Sequence, residues 1–167
     1  MNRYVMRMSG GPPEHRSPSP GVVLPAGWKR PSGYSNGMHV PAGRDLLFVA
    51  GQIGWDENER LVGADLARQF EQALRNCVTV VEAAGGSAHD IVRLTMYCTD
   101  RAAYLRERAA LGSAYRRVMG AHYPSMSLLL IAALVEEGAL IEVEATAAIP
   151  ATVASVPAGA AAGRGGR

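Results

Sequence analysis

Between Leu66 and Val81 apolar residues recur every three or four positions, and between Ile91 and Thr99 every second one. That change of period within one short stretch requires an amphipathic helix to pack against a strand. The helical stripe is Leu66, Phe70, Ala73, Leu74, Cys77 and Val81; it begins near Asp65 and is stopped by Gly85-Gly86. The strand sends Val92, Leu94, Met96 and Cys98 to one face and Arg93, Thr95 and Tyr97 to the other. Asp100 is suited to cap a second helix with the stripe Tyr104, Leu111, Tyr115, Val118 and Met119, ending at Gly120. Upstream, Tyr34 to Val40 reads as a short strand, Ala42 to Asp45 as a turn, and Leu46 to Ala50 as an apolar strand ended by Gly51. Ser125 to Ile131 and Leu140 to Ala147 read as the last two strands. The order β-β-α-β-α-β-β predicts an α+β fold, a mixed sheet with two helices on one face.

Such a sheet has a second face, and here that face lacks the polarity of a solvated one. In the fourth strand of this series Met126, Leu128 and Leu130 point one way, and Ser127, Leu129 and Ile131 the other. A sheet apolar on both sides must be covered on both, and the sequence offers no third helix. The simplest cover is another copy of the chain, so the pattern predicts a homo-oligomer.

Residues 1–26 and 150–167 are rich in Pro, Gly, Ser or Ala without periodicity and read as disordered extensions of one domain over 27–149. Charge divides the same way. Outside residues 45–148 eight basic residues and one acid leave +7; inside, nine basic residues and fourteen acids leave −5. An acidic core is a poor phosphate-binding surface, which argues against nucleic acid as a partner. The Gly, Pro and Ser after Arg3 and Arg7 do not form a secretory apolar core, and no apolar run is long enough for a membrane helix, which reads as a cytoplasmic protein. Cys77 and Cys98 fall on core positions and read as reduced packing residues. His15, His39, His89 and His122 lack ligand spacing, so neither a metal nor another cofactor is expected.

One ordered series of motifs runs through the folded part. It comprises Leu47-Phe-Val-Ala-Gly-Gln-Ile-Gly54, Gln69-Phe-Glu-Gln-Ala-Leu74, Ala83 to Arg93, Tyr97-Cys-Thr-Asp100, Tyr123-Pro-Ser-Met-Ser127 and Ile141-Glu-Val-Glu-Ala145. The series resembles the Rid family (the YjgF/YER057c/UK114 proteins) over about residues 28–148. The resemblance implies a chorismate-mutase-like fold, a homotrimer closed around a central axis, and a small-molecule cleft at each subunit interface. It also implies imine or enamine hydrolysis, with Glu142 positioning or activating water and the backbone of Ala50-Gly51 polarising the ligand. Tyr34 would close the cleft, Tyr97 would hold the family's aromatic position, and Met126 would line the cleft with Leu128.

Glu142 and Glu144 alternate with Ile141, Val143 and Ala145 and so share one strand face. Glu144 suits an ion pair with Arg93, whereas a carboxylate set beside apolar Met126 and Leu128 suits proton transfer or the holding of a water. Three positions depart from the family pattern. Met126 stands where an arginine grips the substrate carboxylate, Leu130 where many members carry an acid, and Gly112 where many carry an asparagine. Losing a bidentate arginine–carboxylate contact of about 1.5–3 kcal/mol costs roughly 10- to 150-fold in affinity. The expected function is therefore a Rid-like hydrolase that is not a standard 2-imino acid deaminase. The alternatives are a non-catalytic trimer that binds a small apolar or aromatic metabolite or a protein, and the endoribonuclease or translation-inhibitor role often attached to the family.

Overall fold

A computed structural model describes residues 18–151. Six strands and three helices follow in chain order: β1 (Gly21–Val23), β2 (Gly37–His39), β3 (Arg44–Ile53), α1 (Leu66–Ala83), β4 (Ile91–Cys98), α2 (Arg101–Arg106), α3 (Arg108–Met119), β5 (Ser125–Leu130) and β6 (Ile141–Pro150), with one 3₁₀ turn at Ala88–Asp90. Four strands form the main sheet in the order β3-β6-β4-β5. β6 runs antiparallel to both β3 and β4, while β5 runs parallel to β4. The fold is the mixed α+β arrangement that the two periods predict.

Each element follows from local chemistry. Asp65 caps α1, accepting the Arg68 N–H at 2.8 Å. The stripe from Leu66 to Val81 is buried against β3 and β6 together with Gln69, whose amide side chain bonds the Gly63 and Gly138 carbonyls. The helix ends where Gly85, at φ +84°, donates to Glu82 O and Gly86 donates to Val81 O. A Cβ at Gly86 would lie 2.5 Å from Ile149 Cγ2, so that position tolerates no side chain.

Several expectations change: β3 starts at Arg44 and runs past Gly51 to Ile53, and only Gly37–His39 of the expected Tyr34–Val40 strand forms, which leaves Tyr34 off the strand. The second helix is broken at Glu107 into α2 and α3, although the Tyr104–Leu111–Tyr115 stripe continues across the break. The Glu107 carboxylate accepts the Ala67 N–H at 3.1 Å, serving the first turn of α1. In addition, β1 falls inside the stretch 1–26 expected to lack structure, and pairs antiparallel with β2 in a separate two-stranded sheet. Residues 1–17 and 152–167, which hold most of the two expected tails, lie outside the described residues.

The helices cover one face of the main sheet. On the other, Leu46 and Phe48 of β3 are 58% and 74% exposed and Leu129 of β5 is 44% exposed. Between them runs a polar strip of Tyr97, Glu142, Glu144 and Thr146. The open face is thus apolar at its two edges and acidic through its centre.

Candidate functional site

The site begins at an irregularity in β3. Pairing with β6 shifts between Val49 and Gln52, so Ala50 and Gly51 have no register partner. There the backbone closely approaches the side chain of Glu142 on β6: a Cβ at Gly51 would lie 1.8 Å from Glu142 Oε1 and 2.6 Å from Cδ. The carboxylate occupies the space that any side chain at position 51 would need. Across β6, Tyr97 of β4 sits directly opposite Glu142, and its hydroxyl donates to Glu144 Oε2 at 3.1 Å. That bond to Glu144, then desolvation and the charges of both glutamates, hold the Tyr97 phenol above its usual range; Arg93 opposes this weakly. The expected Arg93–Glu144 ion pair does not form: Tyr97 engages Glu144, and Arg93 is exposed with no ion pair among the described residues.

Met126 and Leu128 are elsewhere. Met126 registers with Leu94 and Leu128 with Met96, so both point to the helix side and pack against the core. Glu142, in register with Tyr97, points to the open face. The apolar surroundings expected for the carboxylate from Met126 and Leu128 are therefore behind the sheet. The parity of the parallel β4–β5 register decides this.

Met126 and Leu128 instead line a cavity of about 570 Å³ between α3 and β5. Tyr34 reaches the same cavity because its segment is stitched to the start of β5. The Ser35 N–H donates to Pro124 O at 2.9 Å, and the Ser35 hydroxyl donates to Tyr123 O. Tyr115 and Tyr123 stack in its wall, ring centroids 5.2 Å apart and planes within 8°. Tyr115 Oη donates to His122 O at 2.8 Å, and burial pushes its phenol well up. Arg108, Gly112 and Arg116 of α3 complete that side. The two arginines were not singled out from sequence; the signal was their spacing of four on either side of Gly112.

The structure thus divides the expected residues into two groups. Ala50, Gly51, Tyr97 and Glu142 lie on or beside the open face, and Tyr34, Met126 and Leu128 line the cavity on the helix side. The cysteines are in neither group. Cys77 is buried, with its thiol pushed up to about 12 by desolvation, and Cys98 is raised for the same reason. Among the described residues no three His, Cys, Asp or Glu side chains converge as metal ligands, and no helix is long and apolar enough to cross a membrane.

Residues 29–149 match the family described as endoribonuclease L-PSP. The chain belongs to the Rid family. Among solved Rid structures, it is similar to the YyfB protein of Yersinia pestis, a protein of unknown function, with 32% identity and a TM-score of 0.69 over 78% of this chain and 99% of that one. Among curated relatives, protein HMF1 of Saccharomyces cerevisiae is 31% identical over 115 residues, 69% of this chain and 83% of the relative. The 2-iminobutanoate/2-iminopropanoate deaminase of Homo sapiens is 30% identical over 112 residues, 66% of this chain and 78% of that enzyme.

Proposed function

We propose that this Rid protein hydrolyses the C=N bond of a small imine, or of an enamine after tautomerisation, in a cleft between the subunits of a homotrimer. The observation that carries the reading is the fit of Glu142 against Gly51, which seats a carboxylate beside a backbone bulge on an exposed sheet face. Glu142 accepts a proton from an attacking water as its oxygen bonds to the imine carbon, and returns it to the nitrogen. The carbinolamine then collapses: its hydroxyl proton passes through Glu142 to the nitrogen, the C–N bond breaks, and ammonia leaves with the carbonyl product behind. Backbone N–H groups at Ala50-Gly51 orient and polarise the ligand.

The two residue groups lie on opposite faces of one sheet, so a single copy cannot close them around one ligand. In the proposed trimer one copy offers Gly51, Glu142 and Tyr97, and a neighbour offers Tyr34, Met126 and Leu128. The exposed Leu46, Phe48 and Leu129 supply apolar area for that contact. With Met126 in the arginine position, small aliphatic 2-imino acids are not the preferred substrates. The acidic core, −5 over residues 45–148, disfavours an endoribonuclease role.

The test is imine hydrolysis, with the imine generated in situ from aliphatic and aromatic amino acids by an amino-acid oxidase. Glu142→Gln is expected to lower kcat by about 10²- to 10⁴-fold. Met126→Arg is expected to raise turnover of the aliphatic imines. Co-expressed Glu142→Gln and Met126→Trp chains, each inactive alone, are expected to recover activity in mixed trimers. Full activity of Glu142→Gln would refute the mechanism. A monomeric mass in solution would refute the shared cleft, and a trimer that binds ligand without turnover would leave the non-catalytic binder in its place.

A further inference from the structure

Arg108, Gly112 and Arg116 recur at intervals of four on α3, so they share one side of the helix, and all three line the cavity that holds Met126. Neighbouring arginines are engaged elsewhere: Arg75 and Arg117 pair with Glu71, and Arg106 pairs with Glu107. Arg108 and Arg116 enter no ion pair among the described residues, and no carboxylate lines the cavity. The only side-chain hydrogen bond of Arg116 there is a long one to Ser113 Oγ, at 3.4 Å.

The glycine between them shapes the space. A Cβ at Gly112 would meet nothing nearer than Arg116 Nη1, at 3.6 Å. The Arg116 guanidinium therefore leans back over Gly112 toward Arg108, the direction in which helical side chains tilt. Eight residues place the two arginine backbones about 12 Å apart along the axis, at roughly 1.5 Å per residue. Both arginines are exposed, so solvent screens their mutual repulsion; an anion between them takes charge-assisted hydrogen bonds from either guanidinium. Below the gap the walls turn apolar, with Phe70, Met96 and the stacked Tyr115–Tyr123 pair.

We propose that Arg108 and Arg116 form a carboxylate-binding site in the cavity that Met126 lines, and that the cavity takes an aromatic or bulky apolar carboxylate whose acid group lies over Gly112. The proposal rests on reading this cavity as the substrate-holding half of the hydrolytic site. It narrows the substrate class to bulky 2-imino acids. With the acid group held by α3, a short aliphatic chain gains less from the apolar walls than an aromatic one does.

The test uses the full chain and two probes that differ only in charge, 3-phenylpropanoate and 3-phenylpropanamide, with affinities read by titration calorimetry. The acid is expected to bind about tenfold tighter than the amide or better, the range of a charge-assisted contact. Arg108→Gln and Arg116→Gln should each erode that preference and the double variant should abolish it. Arg117→Gln, outside the cavity and paired with Glu71, should leave it intact. Gly112→Asn, which fills the gap, should weaken the acid. Equal affinity for the two probes, no binding of either, or a preference that survives the double variant would overturn the proposal. Turnover by the wild type and Glu142→Gln separates the two readings. Lost charge preference with Glu142-dependent turnover overturns the anion site alone. An intact preference with turnover that ignores Glu142→Gln overturns the hydrolytic reading and leaves the anion site standing.

Discussion

Gly51→Ala is the sharpest perturbation of the proposed chemistry, because it adds one methyl group at the point of closest approach to Glu142. The new Cβ would stand 1.8 Å from Oε1, whereas ordinary contact begins near 3.4 Å, so the oxygen must retreat by about 1.6 Å. Displacement of about 1 Å from reacting geometry can cost on the order of 100-fold in rate, so Gly51→Ala is expected to lower kcat by about that factor or more. Stability should respond in the opposite sense. Gly51 does not have positive φ, and the clash is with the end of a flexible side chain, so replacing glycine within a strand gains about 0.5–1 kcal/mol before any cost of moving Glu142. The assay pairs imine turnover with a thermal melt. Adding Gly51→Ala to Glu142→Gln should cause little further loss, since both variants remove the same function. Wild-type turnover in Gly51→Ala, or a loss that only follows a collapsed melting temperature, would refute the link between this close approach and catalysis.

Three further outcomes follow from the packing. Asp90 pairs with the Arg44 side chain, which is 2% exposed and also bonds the Ala148 and Pro18 carbonyls, and it caps its own 3₁₀ turn through Ser87; Asp90→Ala should cost about 1.5–3 kcal/mol in denaturant unfolding, and no measurable loss would contradict a stabilising pair. Glu71 is held down to about 2 by Arg117 and Arg75, so its contribution is present above the usual carboxylate value of 4.5 and is lost as pH falls from there toward about 2. The Glu71→Gln variant should show a flatter stability profile across that window, and the difference should shrink in high salt because both arginines are exposed. Cys77, its thiol pushed up to about 12, should resist alkylation at pH 8 until the chain unfolds; rapid labelling of the native protein would show that the residue is accessible.

Long, strongly periodic elements were legible from sequence, because a stripe such as Leu66 to Val81 has one low-energy way to leave water. The strand Gly21–Val23 was not, since three residues carry no measurable period and its pairing with Gly37–His39 is a tertiary event. The break at Glu107 was also hidden. The stripe continues through it, and the carboxylate that interrupts the helix serves Ala67, forty residues away. At the site, Gly51, Tyr97 and Glu142 were singled out from sequence and lie side by side. Arg108 and Arg116 were passed over because exposed helical arginines ordinarily face solvent, and only the cavity distinguishes them from Arg117.

The sequence by itself determined the fold class and the identity of the chemical groups: periodicity dictates which face of each element is buried, and residue type dictates what each side chain can donate or accept. Tertiary structure decided which of those groups meet. In Ser125 to Leu130 one face carries Met126, Leu128 and Leu130 and the other Ser125, Ser127 and Leu129, and the local pattern does not say which elements each face meets. The parallel pairing with Leu94 and Met96 decides that and leaves Glu142 on the other side. Register in a sheet has a period of two, so a slip of one residue in the β4–β5 pairing would have turned Met126 and Leu128 to the open face.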